Sequence, residues 1–117
     1  TVGYIEKRYR EAIGRMKDDL THEFFLGFIK IHILHHAAEQ PVYGLWLIEE
    51  LGRHGYRLSP GTLYPLLHSL EKENYLKCQE KVIEGKIRKY YRTTAKGRKA
   101  LSQAKGKIKE LITEVMS

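Results

Sequence analysis

The stretch SPGTLYPLLHSL at residues 59–70 has the features of a well-defined helix. Ser59 suits the N-cap position, and Pro60 suits the first helical residue, where the N–H that proline lacks would be unpaired in any case. Leucines follow at the i, i+3, i+4 and i+7 positions, which are residues 63, 66, 67 and 70. Because these positions share one helix face, the leucines are predicted to face a core and the intervening polar side chains to face outward.

The segments on either side of this helix extend it into a motif. Upstream, a short helix opens at Tyr43-Gly44, and its apolar stripe consists of Leu47, Ile48 and Leu51. Downstream, residues 77–83 and 86–93 are rich in β-branched and aromatic side chains, and Glu84-Gly85 between them suits a tight reversal. A helix-turn-helix followed by a hairpin is a winged helix, which can lay one helix in the DNA major groove.

The ends of the chain add two amphipathic helices. Residues 4–20 carry an apolar stripe, and Asp18, Asp19 and Thr21 can cap a second helix over residues 22–39 that Pro41 terminates. Thr94 can cap a final helix, whose stripe consists of Leu101, Ala104, Ile108, Leu111 and Val115. The stripes exceed what so small a core can cover, so both end helices are predicted to pack in a dimer.

The predicted fold is therefore mostly α (α+β), a winged helix-turn-helix with an additional N-terminal helix and a C-terminal dimerisation helix. We divide the chain into an N-terminal amphipathic helix at 1–21, a DNA-binding unit at 22–94 and a dimerisation helix at 95–117. A length of 117 residues fits a single modest domain.

Composition favours a polyanionic partner. The net charge is +7 and the sequence pI is about 9.5. Between residues 85 and 109 every charged side chain is basic, namely Lys86, Arg88, Lys89, Arg92, Lys96, Arg98, Lys99, Lys105, Lys107 and Lys109. One-sided charge of this kind favours nucleic acid over a merely solvated face. The single cysteine, Cys78, excludes an internal disulfide, and with no predicted membrane span or secretion signal the expected location is cytoplasmic.

These residues resemble the PadR family of bacterial winged-helix transcriptional regulators, in its short form with a single C-terminal helix. The resemblance rests on Tyr43-Gly44, on residues 59–65 with Leu70-Glu71, and on residues 88–91 with Thr94 and Gly97. It implies a homodimer that binds double-stranded operator DNA with an inverted repeat. It also implies a repressor that releases DNA when a small molecule or another signal is sensed.

The resemblance also assigns candidate DNA contacts by position. In the recognition helix these are Ser59, Thr62, Tyr64 and His68, and in the wing they are Lys86, Arg88 and Lys89. Tyr43 would lie near the DNA backbone at a helix start, where amide donors favour phosphate. Two positions depart from the family pattern: Leu45 replaces a common aromatic, and Ile87 interrupts the basic wing tip. The only tryptophan, Trp46, lies outside the C-terminal helix where multidrug-binding members stack a ligand.

Other functions have weaker support in the sequence. No glycine-rich phosphate loop, nucleophile elbow or zincin pattern is present, so no catalytic residue, cofactor or enzyme activity is predicted. His32 and His36 are spaced to share a metal ion, and Glu39 follows His35 by four residues, but packed or exposed histidines are favoured and no metal site is expected. The alternative to specific DNA binding is a winged helix that binds a protein partner.

Overall fold

The computed structural model describes residues 20–116 of the chain. This part consists of four helices and a two-stranded antiparallel sheet: α1 (Leu20–Glu39), α2 (Gly44–Arg53), α3 (Pro60–Lys72), β1 (Leu76–Ile83), β2 (Lys86–Thr93) and α4 (Ala95–Val115). The mostly helical winged fold is confirmed. The predicted helix over residues 4–20 falls outside the described residues apart from Leu20, which belongs to α1.

The long helix α1 crosses the centre of the fold and packs against β2 and α4. Its interior side chains, among them Ile29 and Ile33, have no exposed surface, whereas Phe24 near its start is more than half exposed. Thr21 lies within α1, so it is not the cap that was predicted ahead of this helix. The core consists of Phe25, Ile29, Ile33, Leu34, Ala37, Val42, Leu47, Leu51, Leu58, Leu63, Leu66, Leu67, Leu70, Leu76, Tyr91 and Leu101.

The base of the wing is joined to the segment between α1 and α2. Val42 forms a bridge with Tyr91 of β2, through N···O distances of 2.9 and 2.7 Å in the two directions. Tyr91 points inward, and its burial raises the pKa of its hydroxyl to about 12. Two strand positions further on, the buried Thr93 hydroxyl donates to the Leu34 carbonyl of α1 at 2.8 Å. The wing therefore has a rigid base.

The two ends of the hairpin are set by local backbone chemistry. At its tip, Glu84 and Gly85 both have positive φ angles, of 52° and 77°, which is the conformation of the turn that matches strand twist. At its base, the Thr94 hydroxyl accepts from the Gly97 N–H at 3.0 Å and donates to the Asn74 carbonyl at 2.6 Å. The predicted N-cap of α4 is thereby confirmed.

Candidate nucleic-acid interface

The leucine face of α3 fixes which of its side chains reach solvent. Leu63 and Leu67 are completely buried, so Thr62, Pro65 and His68 lie exposed on the opposite side. Ser59 occupies the N-cap position with an extended backbone, but its hydroxyl is 3.3 Å from the Thr62 hydroxyl and accepts no helix N–H. The outer face of α3 therefore presents two hydroxyls and an imidazole, which can exchange hydrogen bonds with base edges.

The wing projects away from the core beyond its base. Residues 79–89 are all exposed, including Lys86, Arg88 and Lys89. Lys86 pairs with Ile83 across the strands, and Arg88 pairs with Lys81. The apolar pair of Val82 and Ile87 is also exposed near the tip. The wing tip thus combines cations with an exposed aliphatic patch.

Aromatic contacts connect the wing to the start of α2. The Arg88 guanidinium carbon lies 4.3 Å from the centre of the Tyr43 ring, which is a cation–π distance. The Tyr43 and Tyr90 rings meet edge to face at 5.5 Å, and Lys81 Nζ lies 5.1 Å from the Tyr90 ring. A hydrogen bond that the guanidinium donates to the Tyr90 hydroxyl is the main cause that raises the pKa of Arg88.

A cleft of about 550 Å³ separates the wing from α2 and α3. Five of the predicted contact residues line it: Tyr43, Tyr64, Lys86, Arg88 and Lys89. The other three, Ser59, Thr62 and His68, lie on the exposed face of α3, where the Tyr64 and His68 rings are 6.4 Å apart. All eight predicted positions therefore belong to one side of the molecule or to the cleft that borders it.

The structure also explains why a glycine stands at position 44, the first residue of α2. A Cβ atom on Gly44 would meet the Tyr64 ring, with its Cζ only 2.7 Å away. Tyr64 is 38% exposed and so has a packing role beside any contact with a ligand. Leu45, which was noted only as a departure, also lines the cleft. Its helical phase, about 200° from buried Leu47, is the signal that could have placed it there.

The predicted dimerisation residues divide into three groups by burial. Leu101 is only 6% exposed and belongs to the core of its own chain, because the first turns of α4 pack against α1. Ala104 and Ile108 are half-buried, whereas Leu111 and Val115 are largely exposed. Ile112 and Met116 are exposed beside them. Within residues 20–116, the C-terminal half of α4 therefore carries an apolar face that stays exposed.

Comparison with known proteins agrees with this geometry. Residues 33–103 match the family described as the transcriptional regulator PadR-like family. The chain is 49% identical over 94 residues to the transcriptional regulator Rv3488 of Mycobacterium tuberculosis, an alignment that covers 80% of this chain and 88% of that protein.

The chain belongs to the PadR-like family of transcriptional regulators.

Solved PadR structures share its fold. A PadR-like transcription factor from Bacteroides fragilis has a TM-score of 0.76 and 29% identity, over 84% of this chain and 96% of that one. A PadR family regulator from Eggerthella lenta has a TM-score of 0.74 and 29% identity, over 93% of each chain. The predicted family, winged-helix fold and role in transcription regulation are thus confirmed, and the family is not one of enzymes.

Within residues 20–116 no helix combines the length and the apolar character that a membrane crossing requires.

The contact between Gly44 and Tyr64 can be tested with a matched pair of variants. Gly44→Ala should lower the free energy of unfolding by about 1–3 kcal/mol, because the added methyl group displaces the Tyr64 ring. Gly52→Ala in the same helix has open space around its Cβ and should raise the free energy by up to about 1 kcal/mol through better helix propensity. Urea titrations at one protein concentration measure both. Equal stabilisation by the two substitutions would show that Tyr64 does not restrict position 44.

Proposed function

We propose that this PadR regulator binds an inverted-repeat operator as a homodimer, and that it acts as a repressor. The observation that carries the proposal is the placement of the polar outer face of α3 beside the cationic wing, with Tyr43 and Tyr64 between them. A helix face of this size can enter the major groove, while wing cations neutralise neighbouring phosphates. The net charge of +7 supports association with a polyanion.

The contacts divide into two classes with different expected effects. Thr62 and His68 have exposed hydrogen-bonding groups on α3, so we assign them to base edges. Lys86, Arg88 and Lys89 are exposed cations on the wing, so we assign them to phosphates or to the minor groove. Ser59, at the N-cap, and Tyr43, beside Arg88, are assigned to backbone contacts.

The proposal of a two-fold dimer is supported by the apolar face of α4 that is exposed within residues 20–116. Leu111 and Ile112 are each 54% exposed, and Val115 is 65% exposed, on a helix that continues beyond the core. Packing this face on its symmetry mate would remove a contiguous apolar surface from water. It would also present two copies of α3 to half-sites about 34 Å apart or a multiple of that distance.

Release from the operator is assigned to a small-molecule effector or another signal. As the site we propose an apolar cavity between the α4 helices and the helices that support the two wings. The proposal rests on the family resemblance and on eight tyrosines in a short chain. A cavity of this kind would shift the population between two dimer geometries only if the ligand bound one of them more tightly.

Base readout is tested with His68→Ala and Thr62→Ala, after an operator has been selected from random duplexes. Each variant should reduce the preference for the operator over a random duplex by about 1–3 kcal/mol, because a base contact is lost while phosphate contacts remain. Fluorescence anisotropy with both duplexes measures the preference. If neither substitution changed the ratio of affinities, the outer face of α3 would not read sequence.

Phosphate contact by the wing is tested with Arg88→Ala. This variant should weaken binding to operator and random DNA alike, and should flatten the dependence of log affinity on log salt by about one unit per lost phosphate contact in each subunit. Arg53→Ala is the control, because Arg53 is an exposed arginine at the far end of α2 from the cleft. If Arg88→Ala and Arg53→Ala had equal salt slopes, the wing would not belong to the interface.

Complete absence of salt-dependent DNA affinity in the native protein would favour the alternative, a module that binds a protein partner.

Dimerisation is tested with Ile112→Asp. Since Ile112 is exposed in the part of the chain that the structure describes, the substitution should leave the fold intact and dissociate the dimer by placing a charge in the apolar interface. Gln103→Asp, on the opposite side of α4, should leave the dimer unchanged. Multi-angle light scattering at micromolar concentration separates the two states. A native protein that is monomeric, or an Ile112→Asp dimer as stable as the native one, would contradict the assignment.

A further inference from the structure

A cluster of imidazoles lies on the side of α1 that faces the end of α2, outside the proposed DNA interface. His32 and His36 are one turn apart on α1, and His54 follows the last residue of α2. The His54 ring lies 5.7 Å from that of His32 and 6.4 Å from that of His36. Glu50, one turn before His54, completes the group. Side chains from two helices thus converge on one point.

Three of these side chains satisfy the spacing that a metal ion requires. One ligand atom each of His36, Glu50 and His54 can be chosen so that all three lie within 4.8 Å of one another. Ligands of a zinc ion at about 2.0–2.2 Å from the metal lie somewhat closer together than this, so small side-chain rotations complete the approach. His54 is half-exposed, which leaves it room to make such a rotation.

The polar atoms of the cluster lack strong partners in the described part of the chain. His36 Nε2 is buried and makes no hydrogen bond with any residue from 20 to 116. The Glu50 side chain is only 16% exposed, and its ion-pair distances to His54 and Arg53 are both 3.9 Å, close to the limit for such a contact. A desolvated nitrogen and a half-buried carboxylate without a short contact are groups that a bound cation would stabilise.

The protonation state of the cluster also suits metal binding. Burial is the main cause that lowers the pKa of His36, and neighbouring His35 lowers it further, while Glu50 and Glu39 act in the opposite direction. Burial likewise lowers the pKa of His32, followed by the effects of His54, His36 and His35. Burial therefore favours the neutral form of His36 and His32, and the neutral imidazole is the form that binds a metal.

We propose that His36, Glu50 and His54 form a binding site for one transition-metal ion of the Zn²⁺ class. Two imidazole nitrogens and one carboxylate oxygen match the ligands of Zn²⁺ and its neighbours, whereas Ca²⁺ and Mg²⁺ take oxygen ligands. Three protein ligands leave a position for water or for a fourth side chain, and His32, whose ring lies 5.7 Å from that of His54, is an imidazole that could fill it. This site is independent of the proposed DNA contacts.

A second set, His35, His36 and Glu39, also meets the spacing criterion but suits a metal less well. All three residues lie on α1, and His35 already pairs with Glu39 at 3.4 Å between largely exposed side chains. The set with Glu50 and His54 instead joins two helices around the buried His36 nitrogen. Because both sets use His36, only one of them can be occupied at a time. Substitutions at the residues that are not shared distinguish the two sets.

The position of the site gives metal binding a structural consequence. It joins α1, the central helix, to α2, which packs against the recognition helix α3. An ion that binds only the folded chain raises the free energy of unfolding. Once the ion concentration exceeds the dissociation constant, this increase grows with the logarithm of the ratio of the two. Zn²⁺ should therefore raise the melting temperature of the protein.

The test is a titration of the untagged full chain with Zn²⁺, by calorimetry and by competition with a chromogenic chelator. We expect one ion per chain, with binding weakened at least tenfold in His54→Ala and in Glu50→Gln, since even supporting groups around a metal change affinity by about 10–100-fold. His68→Ala on α3 and His35→Ala on α1 are matched controls that should bind as the native protein does. Circular dichroism checks that each variant is folded, and Co²⁺, whose visible absorption reports its ligands, gives a second readout.

Four results would overturn the proposal. One is a native chain that takes up no Zn²⁺ at micromolar concentration and whose melting temperature does not change. The second is unchanged affinity in both His54→Ala and Glu50→Gln. The third is a loss of affinity in His35→Ala with none in His54→Ala, which would move the ion to the set on α1. Equal weakening by His68→Ala would likewise show scattered binding to surface histidines.

Discussion

Burial of one leucine face of α3 is the constraint on which the rest of this structure depends. Leu63 and Leu67 have no exposed surface, and α3 cannot rotate about its axis without exposing them. Rotation by one residue, about 100°, would place a leucine in water and a polar side chain in the core. The face that carries Thr62 and His68 is therefore oriented by the core and not by any ligand.

The wing depends on the same core through its base. Tyr91 anchors β2 to Val42 before α2, and Thr93 anchors it to α1. Residues 79–89, toward the tip of the hairpin, are exposed. Rigid attachment at one end and exposure at the other make the hairpin a projecting arm. The wing cations can then extend beyond the core on the side of the molecule where the outer face of α3 lies. The contact between Arg88 and Tyr43 restricts the distance between the wing and the start of α2.

Two contacts between helices show how residues that are distant in the sequence pack together. Gly44 is small because Tyr64 occupies the space beside it, so the opening of α2 and the middle of α3 are one packing unit. In the same way, Glu50 and His54 at the end of α2 approach His36 in the middle of α1. The spacing within α1 alone pairs His32 with His36 and His35 with Glu39, and no metal site was expected from it. Only the approach of α2 supplies Glu50 and His54, the two proposed ligands from outside α1.

Local chemistry was sufficient to predict most of the secondary structure and much of the candidate interface. Periodicity located the helices of residues 20–116, Pro60 and Thr94 marked the starts of α3 and α4, and Glu84-Gly85 marked the hairpin turn, because caps and tight turns depend on neighbouring residues alone. The tertiary structure decided what depends on approach between elements. It placed Leu101 in its own core although its spacing matches the exposed stripe, and it gave Tyr64 a packing role. It also gathered the histidine cluster. A periodic pattern specifies which side chains share a face, but only packing determines what that face meets.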